Sequence, residues 1–440
     1  MQAVILAGGK GTRLAERLNG RPKPLVDVCG VPLLERQIDT LAKHGVNHVL
    51  VLVNHAADQI ESFLASKAFG PRISLIDDGE PRGTAGALLA CLDLLEDRFL
   101  VVYGDTLFDI DIEHMVAQHV ESGASATLLL HPNDHPFDSD LVEINRIGAI
   151  TAFHGYPHPD GVDLDNLVNA AFYVCQKAAL AAWRHLPVPI DFAKDLFPRM
   201  VAAGHHLHGY VSYEYIKDLG TPRRLDRGEC HLRSGRVERA RRRNLQGAVF
   251  LDRDGTLNRL KGYIRCPQDI ELLPGAGDAV RTLNEAEYRV IVVTNQPVLA
   301  RGECDEAGLT AIHICLKRLL GQSGGYLDDI RYCPHHPEAG FDGEVASLKG
   351  YCECRKPGTA MIERAAVDFN VDLKRSWMIG DSTADIFAAE RLGLRSILVE
   401  TGEGGKDGKW PMCPTFVAAD IAAAVEIIIS TDGARSGVLA

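Results

Sequence analysis

The chain has 440 residues, 46% hydrophobic and 24% charged, which is enough apolar material for two or three buried cores and excludes a disordered chain. Lys and Arg number 47 against 59 Asp and Glu, a net charge of −12 that argues against a general nucleic-acid binder. Anionic substrates are compatible with that charge only where local cations or metal ions offset it.

No stretch reads as an export signal or a membrane span. Residues 3–7 are one strand long with no basic residues before them, and the apolar run 421–429 is broken by Glu426. The expectation is a cytoplasmic protein whose 11 cysteines are reduced, so clustered cysteines read as metal ligands rather than disulfides.

In chain order, residues 3–7, 49–53, 99–103 and 126–130 read as buried strands. Leu34, Ile38, Leu41 and Ala42 mark one face of a helix between the first two, stopped by Gly45. Residues 248–251, 290–293, 377–379 and 396–399 are the strands of the second half, with a helix over 384–392 stopped by Gly393. Strands alternating with helices predict an α/β class and parallel sheets for both halves. Between them, Arg233, Arg236, Arg239, Arg241, Arg242 and Arg243 crowd one polar segment, read as a solvated linker rather than a nucleic-acid patch. The expected organisation is a first domain over 1–230, a basic linker over 231–246 and a second domain over 247–440.

The first strand runs into Gly8-Gly9-Lys10-Gly11-Thr12-Arg13-Leu14. Glycines let backbone N–H groups approach a phosphate chain, and Arg13 adds a fork for its oxygens. The loop fits neither the dinucleotide-binding nor the Walker pattern. Downstream, Pro22-Lys23-Pro24-Leu25 presents one cation between two prolines.

With G-G-x-G-T-R-L and P-K-P-L stand Glu80-Pro81-Arg82-Gly83-Thr84-Ala85-Gly86-Ala87, Tyr103-Gly104-Asp105 and Asp218-Leu219-Gly220-Thr221-Pro222. In this order, these motifs resemble the sugar-1-phosphate nucleotidyltransferases over roughly residues 1–230. The resemblance implies a Rossmann-like (GT-A-like) mixed sheet, with Mg²⁺ held by Asp105 and Asp218. It implies nucleotide contacts from Gly8, Gly9, Gly11, Thr12, Gly83, Thr84 and Ala85. Arg13 then holds the leaving phosphates, and Lys23 offsets charge at the α-phosphate. The chain departs from the family at two places. Gly155-Tyr156 stands where a Glu-Lys pair grips the sugar phosphate, and Ala171 replaces a glycine beside the sugar. Lys194 is a candidate substitute cation, though a solvated helix-start lysine is the simpler reading.

In the second half, a strand delivers Asp252-Arg253-Asp254-Gly255-Thr256, two carboxylates two residues apart just beyond a strand. That arrangement suits a nucleophile with an acid/base partner. Thr294-Asn295-Gln296, Arg355-Lys356-Pro357 and Gly380-Asp381-Ser382 follow in order, with Asp385 near. These motifs resemble the haloacid-dehalogenase phosphatases, implying a Rossmannoid parallel sheet. The resemblance makes Asp252 the nucleophile and Asp254 the acid/base. It assigns Mg²⁺ to Asp252, Asp381 and the Asp254 carbonyl, gives the phosphoryl group to Thr294 and Lys356, and suggests substrate-phosphate contacts for Asn295 and Arg355.

Cys333-Pro334-His335 and Cys352-Glu353-Cys354 offer three thiols and an imidazole, a closed tetrahedral Zn²⁺ set of structural type, with His336 as the alternative to His335. Together with Ala300-Arg301-Gly302, these residues are similar to the zinc-containing heptose 1,7-bisphosphate phosphatases; histidinol-phosphate phosphatases share much of the pattern.

The combined resemblance implies a bifunctional enzyme of nucleotide-sugar synthesis. The second domain would release heptose 1-phosphate from the 1,7-bisphosphate. The first would join it to an NTP, with GTP expected. Two other readings stand beside it: a mannose-1-phosphate-type guanylyltransferase with a phosphatase of other specificity, and an active phosphatase with a non-catalytic regulatory first half. The expected partners are small molecules, with neither nucleic acid nor membrane among them.

Overall fold

The computed structural model describes residues 1–9, 11–18, 20–159 and 161–436. They form two compact units. The first comprises Met1–His131, Phe137–His158 and Leu167–Arg242; the second begins at Arg243 and takes in the short segments Pro132–Pro136 and Pro159–Asn166.

In the first unit, strands Arg72–Asp77, His48–Val53, Gln2–Leu6 and Arg98–Tyr103 lie side by side and parallel. His48–Val53, Gln2–Leu6 and Arg98–Tyr103 are buried on both faces, which is why they read as apolar runs, while the outer strand Arg72–Asp77 is only half-buried. Val4, Leu50, Leu52, Phe99 and Val101 face one core. Ala3, Ile5, Val49, Val51, Leu100 and Val102 face the other. Helix Leu33–Lys43 packs Leu34, Ile38 and Leu41 into that second core, as its periodicity predicts.

Beyond Arg98–Tyr103 the parallel expectation fails. Strand Val168–Gln176 joins antiparallel to Arg98–Tyr103 and to Ala126–His131, and Leu207–Val211 then pairs parallel with Ala126–His131. The sheet is therefore mixed. Only one strand of this region had shown as an apolar run; the others mix polar and apolar residues at short spacing. A small antiparallel pair, Thr106–Asp109 with Tyr215–Asp218, stands apart from the main sheet.

Residues 231–242 belong to the first unit. Helix Pro222–Arg233 runs past residue 230. Val237 is buried in a cluster with Leu14, Leu18, Leu219 and Leu225, and Leu232 and Ala240 pack against it.

The second unit has an all-parallel sheet in the order Asp329–Cys333, Arg289–Asn295, Ala248–Leu251, Trp377–Gly380, Arg395–Val399, Phe416–Ala418. Val249, Leu251, Val290, Val292, Trp377 and Ile379 line one core, and Phe250, Ile291, Val293 and Met378 the other. Helix Thr383–Leu392 ends at Gly393 in the left-handed conformation at φ 68°. Functional residues in such sheets gather at the carboxyl ends of the strands, and here Asp252, Thr294, Cys333 and Asp381 all stand at those ends. Among the described residues no helix is long and apolar enough to cross a membrane.

Candidate active sites and metal centre

In the first unit the site is built where strand Gln2–Leu6 ends. Gly11 has φ 62°, and a Cβ there would lie 2.9 Å from the Lys23 Cβ, so the loop packs against Lys23 only as glycine. Lys10 lies outside the described residues. Lys23, nearly buried, sits in the tight turn Lys23–Leu25, and its Nζ lies 2.5 Å from Asp105 Oδ2. Gly104 lets the Asp105 turn close on the first strand, its N–H donating to the Leu6 carbonyl at 2.9 Å.

Asp218 reaches the same place through sheet register. It pairs with Thr106, and the Leu219 N–H donates to the Asp105 carbonyl at 2.9 Å. Arg224 Nη1 lies 2.6 Å from Asp218 Oδ2, and the Gly220 N–H donates to Asp218 Oδ1 at 2.6 Å. Thr221 caps the helix that carries Arg224, with Pro222 in its first turn. The Arg13 guanidinium lies beside Gly220, with Nη2 3.2 Å from where its Cβ would be. Asp105 is thus paired with Lys23 and Asp218 with Arg224, with the Arg13 guanidinium beside Gly220. The hard oxygen donors of two carboxylates suit Mg²⁺, which completes its shell with water and substrate phosphates.

The helix Gly83–Ala90 begins under the segment 190–192. The Ala85 and Gly86 N–H groups donate to the Ile190 carbonyl, and Thr84 Oγ1 donates to Asp191 Oδ2 at 2.7 Å. Gly83 at φ 75° is required there, because a Cβ would fall 2.3 Å from the Ile190 oxygen. Ala171 has φ 56°, a left-handed conformation that strains a residue with a Cβ. It lies where the register of strand Val168–Gln176 shifts. Tyr156 is exposed, with its N–H on Asp140 Oδ1 at 2.9 Å. Lys194 is exposed in the turn Phe192–Leu196.

In the second unit, Asp252, Asp381 and Asp385 are buried and each offers an oxygen within 4.8 Å of the others. Lys356 Nζ lies 2.6 Å from Asp252 Oδ1 and 2.5 Å from Asp385 Oδ1. Burial and the neighbouring Asp385 and Asp254 charges push the Asp252 carboxyl up to about 7, against the pull of Lys356. Burial and the Asp252 and Asp385 charges push Asp381 up to about 8. The Glu403 N–H donates to Asp381 Oδ2 at 2.7 Å. Gly255 and Gly402 cradle that oxygen: a Cβ on either would lie within about 2.1 Å of it. A buried acidic cluster with one lysine has charge to spare for a divalent cation, so the donor set fits Mg²⁺.

Asp254 is differently placed. The Arg253 fork, Asn258 Nδ2 at 3.0 Å and Gln296 Nε2 at 2.9 Å all donate to it. Burial raises its carboxyl, but Arg253 and these hydrogen bonds outweigh that and hold it below the usual carboxylate range. Thr294 is buried, its Oγ1 accepting from Gln296 at 2.8 Å. Asn295 binds the Lys356 backbone twice, as donor to its carbonyl and acceptor from its N–H. Arg355 Nη1 donates to the His335 carbonyl at 3.2 Å. Both residues therefore brace the segment that presents Lys356.

The ligand atoms of Cys333, His335, Cys352 and Cys354 lie within 4.8 Å of one another. Sulfur separations are 3.2–3.5 Å, and His335 Nδ1 lies 3.4 Å from Cys354 Sγ. All three thiols are free of disulfides. His336 turns away, its Nδ1 against the Glu338 backbone. The geometry thus groups His335, and not His336, with the three thiols as four donors that could hold a metal ion.

The description "Nucleotidyl transferase" fits residues 2–234, more than half of the chain. The chain belongs to the nucleotidyl transferase family. A second family description, HAD-hydrolase-like, fits residues 353–424. The D-glycero-D-manno-heptose-1,7-bisphosphate 7-phosphatase of Thermosynechococcus vestitus is 42% identical over 188 residues, 41% of this chain and 94% of that protein. The second half is thus a member of that phosphatase family. The mannose-1-phosphate guanylyltransferase catalytic subunit beta of Xenopus tropicalis is 34% identical over 236 residues, 52% of this chain. The chain spans 64% of that relative's length. A crystal structure of D,D-heptose 1.7-bisphosphate phosphatase from B. bronchiseptica, complexed with magnesium and phosphate, is 36% identical. It covers 42% of this chain and 99% of its own, with a TM-score of 0.38. The chain is an enzyme with a nucleotidyltransferase half and a phosphatase half.

Several residues of these sites had no sequence signal of their own. Arg224 and Asn258 lie past their motifs, and Arg253 and Gln296 are the unremarkable positions within theirs. His313, whose Nε2 lies 3.3 Å from Arg253 Nη1, belongs to no motif at all.

Proposed function

We propose that this chain carries out two consecutive steps of nucleotide-sugar synthesis in the cytoplasm. The phosphatase half removes the 7-phosphate of D-glycero-D-manno-heptose 1,7-bisphosphate. The transferase half joins the resulting heptose 1-phosphate to GTP, giving GDP-heptose and pyrophosphate. The observation that carries this reading is the presence in one chain of two strand-end carboxylate centres, one of each family. A phosphatase that leaves a sugar 1-phosphate sits naturally beside a transferase that consumes one.

In the phosphatase half, an Asp252 oxygen attacks phosphorus and the bond to the sugar oxygen breaks. Asp254 gives that oxygen a proton. Water then attacks the aspartyl-phosphate and passes a proton to Asp254. The bond to Asp252 breaks and orthophosphate leaves. Asp254 rests ionised, so it must take up a proton before acting as an acid; a phosphate monoester bound as its monoanion carries one. Lys356 faces both Asp252 and the incoming phosphoryl charge, and Thr294 adds a hydroxyl. Mg²⁺ held by Asp252 and Asp381 would supply charge neutralisation.

In the transferase half, the phosphate oxygen of the sugar attacks the α-phosphorus of the NTP and pyrophosphate leaves. Asp105 and Asp218 would hold Mg²⁺, while Arg13 and Lys23 bind phosphate oxygens. A Zn²⁺ on Cys333, His335, Cys352 and Cys354 would stiffen the segment that presents Arg355 and Lys356; its support is the donor set.

A second reading, a regulatory first half, draws on exposed Tyr156 and Lys194 in place of a sugar-phosphate grip. One experiment separates the two. Purified chain receives heptose 1,7-bisphosphate, Mg²⁺ and each common NTP in turn, and orthophosphate, pyrophosphate and sugar nucleotide are followed together. Orthophosphate followed by pyrophosphate with GTP supports the two-step reading. Orthophosphate without pyrophosphate under any NTP favours the regulatory one.

A further inference from the structure

Arg253 stands between two phosphatase carboxylates in sequence, is wholly buried and lies in no assigned role. A buried guanidinium is tolerated only when its charge and N–H groups are matched. Here Nη2 donates to Asp254 Oδ2 at 2.8 Å and Oδ1 at 3.0 Å, and Nε to Oδ1 at 3.1 Å. Nη2 also donates to Gln296 Oε1 at 2.9 Å. Nη1 faces His313 Nε2 at 3.3 Å. Burial and the Arg253 charge hold His313 well below its ordinary value, leaving it neutral and able to accept.

Gln296 closes the ring. Its Oε1 must face Arg253, which only donates, so its Nε2 faces Asp254 Oδ2 at 2.9 Å and Thr294 Oγ1 at 2.8 Å. Asn258 Nδ2 holds Asp254 Oδ1 at 3.0 Å. Asn258 Nδ2 also donates to the Arg259 carbonyl at 3.1 Å, so each of these three donor side chains has a second contact, and Arg253 is the one charged member.

We propose that Arg253 is a positioning residue for the acid/base step: with Gln296 and Asn258 it fixes the Asp254 carboxylate in the orientation from which the proton reaches the leaving oxygen. A purely structural role, filling space and balancing charge, would affect all substrates alike. A positioning role affects most the substrates whose leaving group needs that proton. The inference rests on the phosphatase reading of this half.

The test uses the full-length chain with Mg²⁺ and follows alcohol release in the first turnover. Two substrates are compared: heptose 1,7-bisphosphate, an alkyl ester whose oxygen must be protonated, and p-nitrophenyl phosphate, whose phenolate departs without help. General acid catalysis is worth roughly 100-fold or more. Arg253→Met should therefore lower first-turnover release from the alkyl ester by about that factor while lowering the aryl ester less than ~5-fold. Arg253→Lys should resemble Arg253→Met, since an ammonium cannot reproduce the fork. Gln296→Met, which keeps the volume and removes one donor, should shift the alkyl-to-aryl ratio in the same direction by less. It decides the matter if the Arg253 variants fail to fold. Equal losses on both esters, or none, in the folded variants would overturn the proposal. Wild-type chain inert toward both esters would instead overturn the phosphatase reading.

Discussion

Lys356 Nζ lies 2.6 Å from Asp252 Oδ1, a contact that spans 104 residues of chain and is buried from water. The same ammonium lies 2.5 Å from Asp385 Oδ1. Lys356 is therefore the single side-chain cation touching a cluster of three buried carboxylates, among the described residues. Replacing it leaves them unbalanced. Lys356→Met should destabilise the metal-free second unit by about 3–5 kcal/mol. It should also lower orthophosphate release by roughly 100-fold or more. Pyrophosphate release from a supplied sugar 1-phosphate should be unchanged. Thermal melts and the two product assays check these outcomes.

Carboxyls pushed up to about 7 at Asp252 and about 8 at Asp381 bind protons in the folded, metal-free chain that an unfolded chain has released, since a free aspartate titrates near ~3.9. Their contribution is fully present below that value and is lost as pH rises through 7 and 8. Mg²⁺ must displace those protons, so its binding strengthens over the same interval. The rise in melting temperature on adding Mg²⁺ should therefore be larger at pH ~8.5 than at pH ~6, and Asp381→Asn should flatten the difference. A Mg²⁺ effect larger at the lower pH would contradict the assignment.

Asp105 and Asp218 meet through the register of two short strands, each beside its own cation. Asp105→Asn or Asp218→Asn should lower pyrophosphate release by roughly 100-fold. Orthophosphate release should continue, because its carboxylates lie in the other unit. Parallel product assays on one preparation test this.

Ala171 holds φ 56° with a methyl group attached. Relief of about 1–2 kcal/mol of left-handed strain, less the extra chain entropy of glycine, leaves Ala171→Gly stabilising by ~0.5 kcal/mol. The melting temperature of the first unit should rise by about 1–2 °C. A fall would mean that the methyl group packs more favourably than its backbone strain suggests.

Four ligand atoms gathered at Cys333, His335, Cys352 and Cys354 should hold about one zinc per chain, read by elemental analysis. Cys354→Ser should lower that content and loosen the adjacent Arg355–Lys356 segment, reducing orthophosphate release more than pyrophosphate release. His336→Ala, outside the group, should leave the metal content unchanged.

Much of this was legible in the chain itself. Strands buried on both faces appear as apolar runs, so 3–7, 49–53, 248–251 and 377–379 fall within a residue or two of the elements observed. The mixed character of the first sheet did not show in the alternation of elements, because Val168–Gln176 carries Asn169 at its irregular register and its antiparallel partner is set by tertiary packing. It was the motif resemblance that implied a mixed sheet. The choice between His335 and His336 was likewise open, since adjacent residues have equal reach until the backbone turns one of them inward.

Residue type and order determined the two chemistries: glycine loops, strand-end carboxylates and paired cysteines carry their meaning locally, in hydrogen-bonding capacity, charge and allowed backbone angles. Tertiary structure decided which charges meet. Arg224 on Asp218, Arg253 on Asp254 and Lys356 on Asp252 with Asp385 are set by register and packing. A side-chain ion pair forms over a few ångströms of space, whatever length of chain separates its partners, and burial then fixes the ionisation of the groups it brings together.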